Sequence, residues 1–372
     1  MSGYEKKQTT VSSRQMATLF LCFLTGSAIV NIPAPLTGAA NNAAWLSLWM
    51  ANGLGGLLLV CVLYLHRKYP GMTLIQFSRQ AVGRVGTIII AVPFFLMILT
   101  MLTLIIGDIG GFFKSTMMRE TPTSVFHLLI LFTAAMTVRS GIEVMARMFT
   151  LLLVTLYFFT VVVLILALPD YHMEFLLPIF PEGFKPVLHF AAYFAWGFPY
   201  AELILFTMVL PFVRKDQEPL GKFMYTALLI NGLSLSSVIV CTITALGPLS
   251  ANIKFSLYTL ARLIEIAEVI ERIESAISMA LIAASYMKAT IVLFIINLGV
   301  TQLFRLRDER ILIFPIAFLT LLLSLTLFHN ELEFTEFVGV VWPLFITVTG
   351  VIPILVLTIV TAIKNRRKQS TN

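Results

Sequence analysis

Charge is what this chain lacks most. Only 12% of its 372 residues are Asp, Glu, Lys or Arg, against roughly 25% in a soluble domain. From Gln15 to Leu65 there is no Asp, Glu, Lys, Arg or His at all. Too little charge remains to cover a water-facing surface, which excludes a soluble globular fold. Cysteine is scarce too: Cys22, Cys61 and Cys241 are the full set, each in an apolar stretch. Their spacing excludes a disulfide framework and a cysteine metal site and leaves them as packing residues. No Ser/His/Asp constellation, phosphate loop or metal-ligand cluster stands in the sequence. No enzyme chemistry, cofactor or metal is therefore expected.

What is present in abundance is apolar: 58% of residues are hydrophobic and the mean hydropathy is +0.92. A bilayer core of about 30 Å takes about 20 mostly apolar residues per helix. The apolar segments are continuous runs, not roughly ten-residue alternating ones, so helices and not barrel strands are expected. Ten spans follow, at Met16–Ile32, Ala44–Leu65, Val85–Met117, Val125–Val138, Val144–Leu168, Val187–Pro211, Phe223–Leu246, Ser275–Phe304, Ile311–Phe328 and Phe337–Ile363. The fold class is all-α membrane, a single transmembrane domain over 1–372. Lys6 and Lys7 precede the first apolar run, but no small-residue cleavage site follows it, so that run reads as a retained helix.

Basic residues set the expected orientation. With the N-terminus inside, the cytoplasmic segments carry most of the 26 lysines and arginines, among them Arg67, Lys68, Arg305, Arg307, Arg366 and Arg367. This is the positive-inside pattern, with both termini cytoplasmic. It accounts for a formal charge of +7 through the lipid surface, without nucleic acid.

Two spans are irregular. The first contains Thr25-Gly26-Ser27-Ala28 and then Asn31-Ile32-Pro33-Ala34-Pro35; the sixth contains Trp196-Gly197-Phe198-Pro199-Tyr200. Glycine loosens a helix and proline removes a hydrogen-bond donor, so both are expected to break. Matched breaks in two five-helix halves, here 1–168 and 187–363, point to an inverted-repeat transporter fold. Ionisable residues at membrane depth are costly and mark functional sites by default. Lys288 is the one charge at the centre of the eighth span, Glu202 follows the sixth-span break, and Asp108 lies late in the third among glycines. Outside, Glu265, Glu268, Glu271 and Glu274 recur among Leu263, Ile264, Ile270 and Ile273, the pattern of an amphipathic helix within an outer segment over 249–274.

Taken together these residues resemble the B subunit of the GerA-type spore germinant receptors, a branch of the amino acid–polyamine–organocation transporter superfamily. The resemblance rests on Gly26-Ser27-Ala28 with Ile32-Pro33, on Pro181-Glu182-Gly183, on Glu202-Leu203-Ile204-Leu205-Phe206, on Ile270-Glu271-Arg272-Ile273-Glu274 and on Lys288, in order along essentially the whole chain. The bulky Trp196-Gly197-Phe198-Pro199-Tyr200 departs from the apolar or glycine-rich patch common in that family. The resemblance implies a LeuT-like 5+5 inverted-repeat bundle in the spore's inner membrane. It also implies a nutrient ligand, an amino acid above all, and action with A and C subunits. The alternative is a proton-coupled amino acid permease acting alone.

The ligand is expected between the two breaks. Backbone N–H groups at Gly26, Ser27 and Ala28 would take a carboxylate. Carbonyls near Trp196, Gly197 and Phe198 would take an amine, with Pro199 and, five residues past Gly197, Glu202 also at the site. Met97, Thr100 and Met101 share a face of the third helix and form an apolar wall, opposite Met287 and Lys288 on the eighth. In sodium-coupled relatives of this architecture the eighth helix and the first-helix break hold a cation. Lys288 is expected to supply that charge, its donors aimed at carbonyls near Thr25 and Gly26.

Overall fold

The computed structural model describes residues 10–180, 183–185, 187–214, 218–264, 273–328 and 330–370. Among these it is helical almost throughout, with a single β-bridge between Val11 and Val213. A bilayer core offers no water to backbone N–H and C=O groups, and a helix satisfies them within each crossing. The first crossing is Ser13–Thr25, continued beyond a break by Ala28–Asn31 and Pro33–Ala40. Next come Ala44–Lys68, Leu74–Thr116, Thr123–Ser140 and Ile142–Leu166. The sixth is Ala192–Phe212. The last four are Leu220–Leu246, Ile273–Phe304, Ile313–Thr326 and Glu331–Arg366. All ten expected helices are there; among the described residues nine are long and apolar enough to cross a membrane, and the ninth in order, Ile313–Thr326, is apolar but has only 14 residues.

Local sequence sets the starts. Ser12 Oγ accepts the Gln15 N–H at 3.2 Å while the Gln15 side chain accepts the Ser12 N–H at 3.0 Å, a reciprocal cap that satisfies two orphan donors. Thr73 and Gln76 repeat the device at the third helix. A kink at Gly83 divides this helix: the second limb starts at the expected Val85 within a residue or two, and the first, from Leu74, carries Gln76 and Arg79 and was not expected as helix. Its 43 residues would reach about 65 Å if straight, well beyond a bilayer. Gly83, at φ +77°, turns the first limb aside, a conformation open to glycine.

Burial sorts the helices. The first and sixth crossings are almost wholly enclosed, whereas the fifth turns Leu151, Val154, Phe158, Val161 and Ile165 outward. Such an apolar outer stripe suits lipid, and the breaks of the first and sixth crossings are held in the protein interior. Both breaks are present. Gly26 has φ −11° and ψ −115°. The sixth crossing departs from helix at Phe198, φ −143° and ψ 114°, between widened and tightened turns. Across the face that carries the N-terminal segment, Val11 exchanges backbone hydrogen bonds with Phe212 (2.9 Å) and Arg214 (2.8 Å). The Arg14–Glu218 pair at 3.1 Å lies on the same face. Of the expected outer amphipathic segment, Ser256–Leu263 is a helix that buries Leu257, Tyr258 and Leu260. Glu265, Glu268, Glu271 and Arg272 lie outside the described residues, as do Pro181 and Glu182.

Each break glycine serves a close helix contact. A Cβ on Gly197 would stand 2.4 Å from Pro343 Cβ and 2.5 Å from its Cα, so Gly197→Ala must push the sixth and tenth helices apart. We expect that substitution to cost about 1–3 kcal/mol, read as a lower melting temperature in detergent. Gly53→Ala, on an open helix face with nothing within 4 Å, should cause no loss.

Candidate ligand cavity

Two cavities lie in series between the helix breaks and the face opposite the termini. The inner one holds about 330 Å³. The outer vestibule holds about 920 Å³ and shares Asp108, Lys254 and Phe334 with it. Ser27, Asn31 and Ala34 of the first crossing wall the inner cavity with Met101, Leu104 and Asp108 of the third. Phe194, Phe198 and Glu202 of the sixth, Lys288 of the eighth and Trp342 of the tenth complete it.

A fully buried ion pair forms the floor. Lys288 Nζ donates to Glu202 Oε2 at 2.5 Å, with the two side chains 0% and 2% exposed. Trp342 Nε1 donates to the other oxygen, Oε1, at 3.1 Å. The Lys288 ammonium also lies 4.2 Å from the Phe198 ring centroid and 5.3 Å from that of Phe23, within cation–π range. The lysine is thus surrounded by one carboxylate and two aromatic faces. This corrects the expectation that its donors point at carbonyls near Thr25 and Gly26. An ammonium–carboxylate bond is roughly twice as strong as a neutral one, and Glu202 is within reach. Gly26 has a different role: a Cβ there would stand 2.7 Å from Lys288 Cβ and 3.1 Å from its Cδ. The missing side chain makes room for the lysine stem to cross the break.

Of the expected site residues, Ser27, Met101, Phe198, Glu202 and Lys288 line the cavity. Gly26, Ala28, Gly197, Pro199 and Met287 are packed behind it and do not. Met97 is buried, with its sulfur beside Gly350 of the tenth helix. Thr100 is half-buried and bonds Leu96 O on its own helix at 2.9 Å. The cavity lies one helical turn further out than expected, so the third helix meets it at Met101, Leu104, Ile105 and Asp108, at helical spacing. Trp342, Asn31 and Lys254 escaped the sequence reading. The signal at Trp342-Pro343 was an indole in an otherwise apolar run, since a buried Trp N–H calls for an acceptor.

Lys254 stands at the neck between the cavities. Its Nζ meets Glu331 Oε2 at 2.5 Å and lies 5.2 Å and 5.6 Å from the ring centroids of Phe255 and Phe334. This pair is partly solvated, with side chains 38% and 69% exposed.

Solved structures of LeuT-fold transporters share this architecture. MhsT in complex with L-phenylalanine superposes with a TM-score of 0.70 at 15% identity, over 96% of this chain and 89% of that one. A substrate-bound outward-open Na+-coupled sialic acid symporter gives 0.65 at 12% identity, over 93% and 82%. The bundle is therefore the LeuT-like 5+5 inverted repeat with broken first and sixth helices. Within that class, residues 10–332 match the family of spore germination proteins, and the chain belongs to it. Relatives include spore germination protein KB of Bacillus subtilis (strain 168), 24% identical over 332 residues, 88% of this chain and 87% of that protein. Spore germination protein YndE of the same organism is 21% identical, over 79% of this chain and 81% of that protein.

Breaking the Lys288–Glu202 pair from one side strands a buried charge. Lys288→Met alone should lose about 3–5 kcal/mol, and adding Glu202→Gln should restore much of that loss. The pair of melting curves, with the Glu202→Gln single variant completing the cycle, checks this.

Proposed function

We propose that this chain is the ligand-binding membrane subunit of a spore germinant receptor. It takes a small nutrient, an amino acid, into the inner cavity and signals germination together with A and C subunits. One observation carries the reading. In a member of the spore germination family, a cavity of about 330 Å³, open toward the vestibule, lies where the broken first and sixth helices face the third, eighth and tenth. Its volume suits a small molecule, and the mostly apolar wall with a few polar groups is the usual composition of such sites. The relative fold in MhsT carries L-phenylalanine, which supports an amino acid in this one. Both termini are assigned to the spore-core side, where Arg67, Lys68 and Arg79 gather with the N- and C-terminal segments. The two repeats are assigned to 1–168 and 187–363, with 249–274 as an outer segment that contributes to subunit docking.

The test uses the purified chain reconstituted in liposomes and titrated with each of the twenty L-amino acids. A sensor subunit binds one or a few of them without net accumulation inside the vesicles. Accumulation driven by a proton gradient would replace this reading with that of a permease. Ala34→Trp, which directs an indole into the cavity from a buried wall position, should abolish binding at an unchanged melting temperature. In spores it should abolish the nutrient response.

A further inference from the structure

Four charged residues line the inner cavity: Asp108, Glu202, Lys254 and Lys288. Glu202 and Lys288 neutralise each other across 2.5 Å. Lys254 is held by Glu331, which belongs to the vestibule lining and not to the inner cavity. Asp108 is left. Its Oδ2 accepts from Asn31 Nδ2 at 2.5 Å, but Oδ1 has no hydrogen-bond partner although the residue is only 7% exposed. No cation stands within salt-bridge distance of it among the described residues. A buried carboxylate oxygen without a donor is costly, so a cationic group of the ligand would complete the site.

The surroundings say what kind of cation fits. Hard metal ions require six or more oxygen ligands in the case of calcium, and near-octahedral oxygen geometry in that of magnesium. Among the described residues no group of three His, Cys, Asp or Glu offers a metal site. Leu104, Ile105, Ala34 and Phe334 line the cavity with Asp108, as does Lys254, whose ammonium is already bonded to Glu331, and Phe198 and Trp342 lie by the buried ion pair. One anion at the outer end of an apolar, aromatic-walled cavity matches an ammonium head on a hydrocarbon tail.

We propose that Asp108 receives the ammonium group of the ligand, which lies with its head at the neck and its apolar portion inward toward Phe198 and Trp342. Resting on the nutrient-binding reading above, this assigns the ligand to the primary ammonium class. It also moves the amine from the sixth-helix carbonyls to the third helix. Asn31 is the positioning residue: it grips Oδ2 and leaves Oδ1 without a partner.

The experiment measures binding to the full chain in lipid nanodiscs by calorimetry. The probes are the twenty L-amino acids and, for any that binds, its deaminated acid and its decarboxylated amine. n-Butylammonium and phenethylammonium are run in every case. Wild type should bind the amino acid and the matching amine, with the deaminated acid at least about 30-fold weaker. Asp108→Asn should weaken binding of both ammonium probes by a similar factor while its ligand-free melting temperature holds or rises, since an unpaired buried charge is removed. A melting temperature that collapses would mark a structural role and overturn the proposal. So would a deaminated acid that binds as well as its parent, or an Asp108→Asn affinity within about threefold of wild type. If no amino acid binds wild type but the alkylammonium ions bind in an Asp108-dependent way, the amino acid reading fails and this one stands. If no ammonium probe binds at all, both fail.

Discussion

The buried bond between Lys288 and Glu202 is the constraint around which the centre of the molecule is arranged. It joins the eighth helix to the broken sixth, and Trp342 fastens the tenth to the same carboxylate. Two charges taken out of water repay their desolvation only if their remaining bonding capacity is met and the geometry is tight. Here one glutamate oxygen takes the ammonium, the other takes an indole N–H, and two aromatic faces attend the lysine. The pair therefore fixes the rotation and depth of three helices at once. It also gives the irregular sixth crossing an anchor that its interrupted backbone bonding does not supply.

That anchor changes the meaning of the glycines at the breaks. Unwound backbone in a bilayer reads most simply as a cradle for a ligand's polar groups. In this chain Gly26 and Gly197 are instead contact points, one beneath the stem of Lys288 and the other against Pro343. The breaks let helices approach closely enough for the ion pair to form, and the side chains around it then enclose the cavity.

How much of this was legible in the sequence depends on the range of the interaction. The crossings were legible because apolar runs report local burial in lipid, and so were the breaks, since Gly26 and Pro199 act on their own backbone. Lys288 stood out because a charge amid an apolar helix is an anomaly wherever it occurs. Its partner was not legible: Glu202 is 86 residues away, and their meeting depends on how far one helix is rotated and shifted against another. The same axial offset explains why the third helix reaches the cavity at Met101 and Asp108 while Met97, on the same face, meets the tenth helix instead. Helical periodicity identifies a face; it carries no information about which turn of that face stands opposite a neighbour.

The neck at Lys254 and Glu331 has a consequence of another kind. The inner pair is shielded from solvent, whereas this one is half in water, where an ion pair contributes about 0–1 kcal/mol and is weakened by salt. Its partners sit on the segment before the eighth helix and at the start of the tenth. The bond at the neck is therefore near the thermal energy scale, unlike the fixed floor below it. On the reading proposed above, salt acts on this doorway more than on the shielded floor, and so adjusts how quickly a ligand arrives and leaves.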